Sequence, residues 1–264
     1  MTQGPPRIFD YKALELHWAR SERLPGQDFL LMEALQGLGE RQAAMRRDFP
    51  YQLELDLDAR EHVEVQPQSV DLITSGLGLH VINDLPGVLV QVRRALKPDG
   101  LFLAALFGGE TLTELRQSLA AAEIETTGGV SPRVAPFADV RDLGGLLQRA
   151  GFALPVADVE RTVVRYRDLF SLARDLRMMG ATNALVERSR KPMRRDMLAA
   201  AMAHYARHFS DPDGKLRATF DIVYLTGWAP HESQQQPLKP GSAKSRLADA
   251  LGAREESAGE KPGS

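Results

Sequence analysis

The 264-residue chain contains no cysteine, which excludes disulfides, thiolate metal sites and a cysteine nucleophile. No stretch approaches the about 20 consecutive apolar residues of a membrane-spanning helix, so a spanning role is excluded while peripheral contact with a membrane complex stays open. Charge of one sign is scarce: the net charge is -2 and the pI about 6.3. No global field therefore favours nucleic acid or an anionic membrane. The opening MTQGPPRIFDYKALELHWAR lacks an apolar signal core, and the expected compartment is the cytoplasm. A serine elbow, a Walker phosphate loop, a nucleic-acid signature and an internal repeat are all missing. What is present is ordinary for a globular chain, 43% hydrophobic and 26% charged residues.

Apolar positions Leu14, Trp18, Leu30, Leu31, Ala34, Leu35 and Leu38 follow a helix period across Ile8 to Arg47, with a break at Pro25-Gly26. Tyr51 to Leu57 alternates as a half-buried strand does. After the polar link DAREHVEVQPQ, Val70 to Thr74 reads as a strand. A helix starts near Pro86 and runs to about Leu96. Pro98-Asp99-Gly100 signals a turn, and Leu101 to Leu106 is apolar enough for a strand buried on both faces. Helices are expected over Thr111 to Glu125, with Thr111 or Thr113 as cap, and from Asp139 to Ala150. Phe152 to Val156 and Thr162 to Tyr166 read as two strands. Helices near Leu169–Met179 and Arg194–Phe209 follow, and Ala218 to Trp228 closes as a strand. The expected divisions are a helical N-terminal segment (1–50), an α/β domain (51–229) and a polar, disordered tail (230–264), with one helical turn at Leu247 to Leu251.

The run from Ser69-Val70-Asp71-Leu72-Ile73 through Leu79-His80, Asp84-Leu85 and Leu96-Lys97-Pro98-Asp99-Gly100 resembles type 11 methyltransferases of the class I, S-adenosylmethionine-dependent superfamily. The segments GGETLTELRQSL, GGVSPRVAPFADVRDLGGLLQRAGF, RDLRMMGATNAL and GWAPHESQQQPLKPGSA, with IFDYKALELHWARSER, are similar to one subfamily. It holds bacterial relatives of the methyltransferase-fold assembly factor of respiratory complex I, whose animal members are described as arginine hydroxylases. The resemblance implies a Rossmann-like α/β sheet of strand order 3-2-1-4-5-7-6. Only about a dozen residues separate Leu57 from Val70, close to the minimum for a crossover. Strands 2 and 3 do not fit there. The expected sheet is therefore truncated at one edge, with 1-4-5-7-6 contiguous, or with strand 1 replaced by an antiparallel edge.

By resemblance, S-adenosylmethionine is the cofactor. The glycine-rich loop that should hold it is not found. Leu55-Asp56-Leu57-Asp58-Ala59-Arg60 mimics the motif, with Asp58 and Arg60 where glycines are wanted. The resemblance implies cofactor contacts at Asp56, Ser75, Gly76 and Leu77. It makes His80 the catalytic candidate, as base or substrate-orienting group, against a histidine packed at the strand–loop junction. Met178 to Asn183 are expected as a lid over the mouth, also by resemblance. Arg133 is a candidate carboxylate or phosphate clamp. His204 and His208 share a helix face, but without a third ligand no metal is expected. Two functions follow. One is a methyltransferase-fold protein of the complex I assembly type, acting on a protein substrate or complex I subunit. The other is a non-catalytic binding or scaffold protein that has lost the cofactor loop.

Overall fold

The computed structural model describes residues 7–55 and 61–235. Asp56, Asp58, Arg60 and most of the expected tail, with Leu247 to Leu251, lie outside the described residues. The fold belongs to the unit that ends at Pro230. In the following unit, the described residues include a turn in which the Gln234 N–H donates to the His231 carbonyl at 3.2 Å.

Helices α1 (Tyr11–Ser21) and α2 (Phe29–Ala44) lead into the short strand β1 (Gln52–Glu54). Strand β2 (Val70–Ser75), a 3-10 turn (Leu79–Val81), α3 (Leu85–Ala95) and β3 (Leu96–Gly108) follow. Then come α4 (Thr113–Thr127), α5 (Val140–Arg149), β4 (Ala153–Tyr166), α6 (Leu169–Met178), α7 (Arg195–Phe209) and β5 (Leu216–Trp228). Aspartate starts five of these helices. Asp10, Asp28, Asp84, Asp139 and Asp168 each accept a hydrogen bond from a first-turn N–H. Each cap contributes on the order of 1 kcal/mol.

The sheet order is β1-β2-β3-β5-β4. β1, β2 and β3 run parallel, and β5 runs antiparallel to both β3 and β4. This is the truncated order 1-4-5-7-6, with the first strand kept parallel and not replaced by an antiparallel edge. β3 is buried on both faces, as its composition demands. Leu101, Leu103, Ala105 and Phe107 pack on one side with Leu30, Ala34 and Leu38 of α2 and Tyr205 of α7. Phe102, Ala104 and Leu106 pack on the other with Val88, Leu89 and Val92 of α3 and Leu143 and Leu147 of α5. Fully burying each such side chain contributes about 1.5–3 kcal/mol.

Three local expectations differ. The two strands proposed for Phe152–Val156 and Thr162–Tyr166 are one strand, β4, with an irregularity between Ala153 and Val156. The charged run that seemed to divide them sits at a sheet edge, where Arg41 of α2 pairs with Asp158 and Glu160. The Pro98-Asp99-Gly100 turn lies inside β3: Val70 pairs with Leu96 and Leu72 with Leu101, so Lys97–Gly100 bulge out between the pairs. Thr111 does not cap α4. Its hydroxyl accepts from the Asp221 N–H at 3.0 Å and lies 2.8 Å from the Gly108 carbonyl, tying the end of β3 to β5.

Candidate functional site

The site lies at the carboxyl end of β2 and β3, where parallel strands of an α/β sheet open onto their loops. Ser75 ends β2, 2% exposed, and its hydroxyl turns back to the Gly76 carbonyl at 3.2 Å. Gly76 faces helix α2: a methyl group placed there would lie 3.1 Å from Leu31 Cδ1 and 3.5 Å from Leu35 Cδ2. Leu77 and His80 turn instead into a cavity of about 290 Å³. The His80 ring packs edge-on against Phe107, centroids 5.0 Å apart, and lies 6.0 Å from Phe137. Among the described residues its buried Nδ1 has no hydrogen-bond partner. Burial pushes its pKa down to about 4, so the imidazole is neutral near pH 7.

Three segments close the cavity. The roof is the N-terminal stretch and α1, which contribute Phe9, Leu14 and Trp18. The lid is Met179 to Leu185. Gly180 has φ +68°, and a Cβ there would fall 2.5 Å from Trp18 Cδ1, so lid and roof meet backbone to indole. Phe9 bridges Leu185, and the Asp10 N–H donates to the Ala184 carbonyl at 2.8 Å. The Asp10 carboxylate accepts from Arg188 at 3.0 Å and Arg190 at 3.3 Å. The wall is the loop from Arg133 to Phe137. Arg133 clamps a carboxylate, but an internal one: Nε and Nη2 reach Glu123 at 3.1 and 2.7 Å. Glu123 also accepts from the Ser131 N–H and hydroxyl. Arg133 thus positions the wall, and it also lines the cavity.

Asn83 was not singled out by sequence reading, yet it joins roof to floor. Its Oδ1 accepts from the N–H groups of Ile8 at 2.7 Å and Phe9 at 2.8 Å, and its Nδ2 donates to the Phe9 carbonyl at 3.2 Å. Glu61, just past the undescribed residues, accepts from the N–H groups of Asn83 and Asp84 at 2.6 and 3.0 Å. His204 and His208 lie with ring centroids 4.4 Å apart, and His204 Nδ1 meets Ser118 Oγ at 3.2 Å. His204 thereby links α7 to α4. Among the described residues no cluster of three or more histidine, aspartate or glutamate side chains could hold a metal ion.

Of the five residues proposed to act on cofactor or substrate, Leu77 and His80 share the cavity. Ser75 and Gly76 face elsewhere, and Asp56 lies outside the described residues. Toward the S-adenosylmethionine that the resemblance implies, the Ser75 hydroxyl turns to the Gly76 carbonyl, Leu31 and Leu35 lie against Gly76, and no described strand lies outside β1.

A three-layer sheet with parallel β1, β2 and β3 and a reversed β5 inserted beside β4 defines a class I methyltransferase fold. A methyltransferase-domain family model matches residues 38–104. The chain is 46% identical over 188 residues to the arginine-hydroxylase NDUFAF5, mitochondrial, of Dictyostelium discoideum, covering 71% of this chain and 43% of that one. It is 41% identical over 173 residues to the malonyl-[acyl-carrier protein] O-methyltransferase of Xylella fastidiosa (strain M23), covering 66% and 56%. A crystal structure of a methyltransferase-like protein from Bacillus halodurans aligns with a TM-score of 0.48 at 10% identity, over 74% of this chain and 99% of that one. The chain belongs to the class I methyltransferase superfamily, as a relative of the NDUFAF5 arginine-hydroxylases, and spans about half the length of the curated relatives it matches. No helix among the described residues is long and apolar enough to cross a membrane.

Proposed function

We propose that this chain is a methyltransferase-fold protein of the complex I assembly type, working from the cytoplasm in peripheral contact with the membrane complex. Its cavity admits a side chain of a protein partner, an arginine by analogy with the activity named for its Dictyostelium relative. The observation that carries this reading is the apolar cavity, roofed by α1 and the 179–185 lid, with neutral His80 in its lining. Its volume of about 290 Å³ sits at the small end of ligand pockets and suits one side chain better than a whole nucleoside. Deleting the gene should lower the amount of assembled complex I. Re-expressing the chain with Leu77→Trp, which fills the cavity from its floor, should fail to restore it. Full restoration by a stably folded Leu77→Trp protein would sink the reading.

Leu31 and Leu35 against Gly76 favour a second form of the same reading, a binding protein that no longer holds the methyl donor. Calorimetric titration decides it. The expected result is no heat and no rise in Tm up to millimolar S-adenosylmethionine. Micromolar binding would overturn this form, since ligand at 100-fold above its Kd adds about 2.7 kcal/mol of stability.

A further inference from the structure

Two polar groups that line the cavity have no charged partner among the described residues. One is His80 Nδ1, already described. The other is the carboxylate of Asp28, which lines the same cavity from the start of α2. One of its oxygens caps the helix, accepting from the Leu31 N–H at 2.9 Å. Among the described residues no cation lies within ion-pair distance of it. Burial raises its pKa, the direction expected when a carboxylate is desolvated without a positive neighbour. The lining is mainly apolar and aromatic, including Trp18, Phe107, Phe137 and Phe220, with Arg133 and Arg177 also at the cavity and Arg133 paired to Glu123. A half-buried carboxylate stabilised only by helix-start N–H groups gains when a cation enters beside it. Aromatic faces add attraction for a guanidinium.

We propose that Asp28 is the specificity-determining residue of this cavity, pairing with the cationic head of the inserted side chain. This rests on the side-chain-binding reading above and goes beyond it. It assigns the selection to a residue of the N-terminal helical segment, outside the sheet. The guanidinium presents five N–H donors and no acceptor. Asp28 takes one edge through the oxygen not used by the cap, and the neutral His80 remains for a further hydrogen bond. Arg177 also lines the cavity. It carries the opposite charge and, among the described residues, makes no ion pair with Asp28. It is the natural control.

The test uses the full chain and two small probes, N-acetyl-L-arginine amide and its neutral isostere N-acetyl-L-citrulline amide, followed by NMR titration. The wild-type chain should bind the arginine probe at least ten-fold more tightly than the citrulline probe. Asp28→Asn keeps a side-chain oxygen for the helix cap, so it should fold, and it should abolish the discrimination. Arg177→Gln should retain it. Equal binding of both probes by the wild type, or discrimination that survives Asp28→Asn, overturns the Asp28 assignment while leaving the cavity reading standing. Failure of the wild type to bind either probe overturns the cavity reading and the assignment with it.

Discussion

Replacing Glu123 with alanine will lower the unfolding free energy by about 3 kcal/mol, the scale for removing one member of a buried ion pair. Glu123 is 7% exposed and its carboxylate collects hydrogen bonds from Ser131 and from the Nε–Nη2 edge of Arg133. Its loss strands the Arg133 guanidinium in the cavity wall, where the side chain is only 17% exposed. The change therefore reaches the site through the loop, although Glu123 itself does not line the cavity. The same pair sets an acid limb. The Arg133 guanidinium holds the Glu123 pKa down to about 2, from an ordinary value of 4.5. The pair's contribution is complete above the unfolded value and lost as pH falls from about 4.5 towards 2. Chemical denaturation of wild type and Glu123→Ala across that range should converge as the pH drops. A constant difference between the two curves would refute the linkage.

Asn83→Ala is expected to cost about 2–3 kcal/mol, because it leaves the N–H groups of Ile8 and Phe9 and the Phe9 carbonyl without their side-chain partner. The larger consequence is local. Asn83 fastens the roof to the β2–α3 loop, where its own N–H also donates to the Tyr11 hydroxyl at 3.0 Å, and further ties of the N-terminal stretch run to the 184–190 segment. Roof and lid should then open together. Limited trypsin digestion should cut at Lys12 or Arg20 several-fold faster in Asn83→Ala than in wild type. Asn83→Asp, which keeps the acceptor but loses the donor, should fall between them. Unchanged cleavage at unchanged stability would show that Asn83 does not hold the roof.

Much of the sheet was legible in the chain because its signals are local. An uninterrupted apolar run from Leu101 to Leu106 can only be a strand covered on both faces, and β3 is one. Asp139 before an amphipathic run is a cap, and its side chain accepts from Arg141 N. The strand order followed from the shortness of the link before Val70, read against the family order. The site was less legible because it is assembled from distance. Asn83 carries no local signal, and its partners are the distant Ile8 and Phe9. Glu123 looked like an ordinary helix residue until the wall loop folded back onto it. Gly76 looked like room for a ligand, and the room is taken by Leu31 and Leu35, which nothing near Gly76 in the chain announces. Asp28 had the weakest signal, since an aspartate after a proline–glycine break serves equally as a cap.

The position of β5 has a consequence for how the molecule is made. Leu216–Trp228 is the last of the described strands in chain order, yet it lies between β3 and β4. Until it arrives, the fourteen residues of β4 have no described neighbour in the sheet, and the inner edge of β3 is open along eight paired positions. Between the emergence of β4 and that of β5 the nascent chain thus carries two unsatisfied strand edges, the state in which chains most readily pair with the wrong partner. The closing step is a long-range insertion, not a hairpin, which makes it slow by topology. A chain cut short before Leu216 would lack the strand that joins the two halves of its sheet.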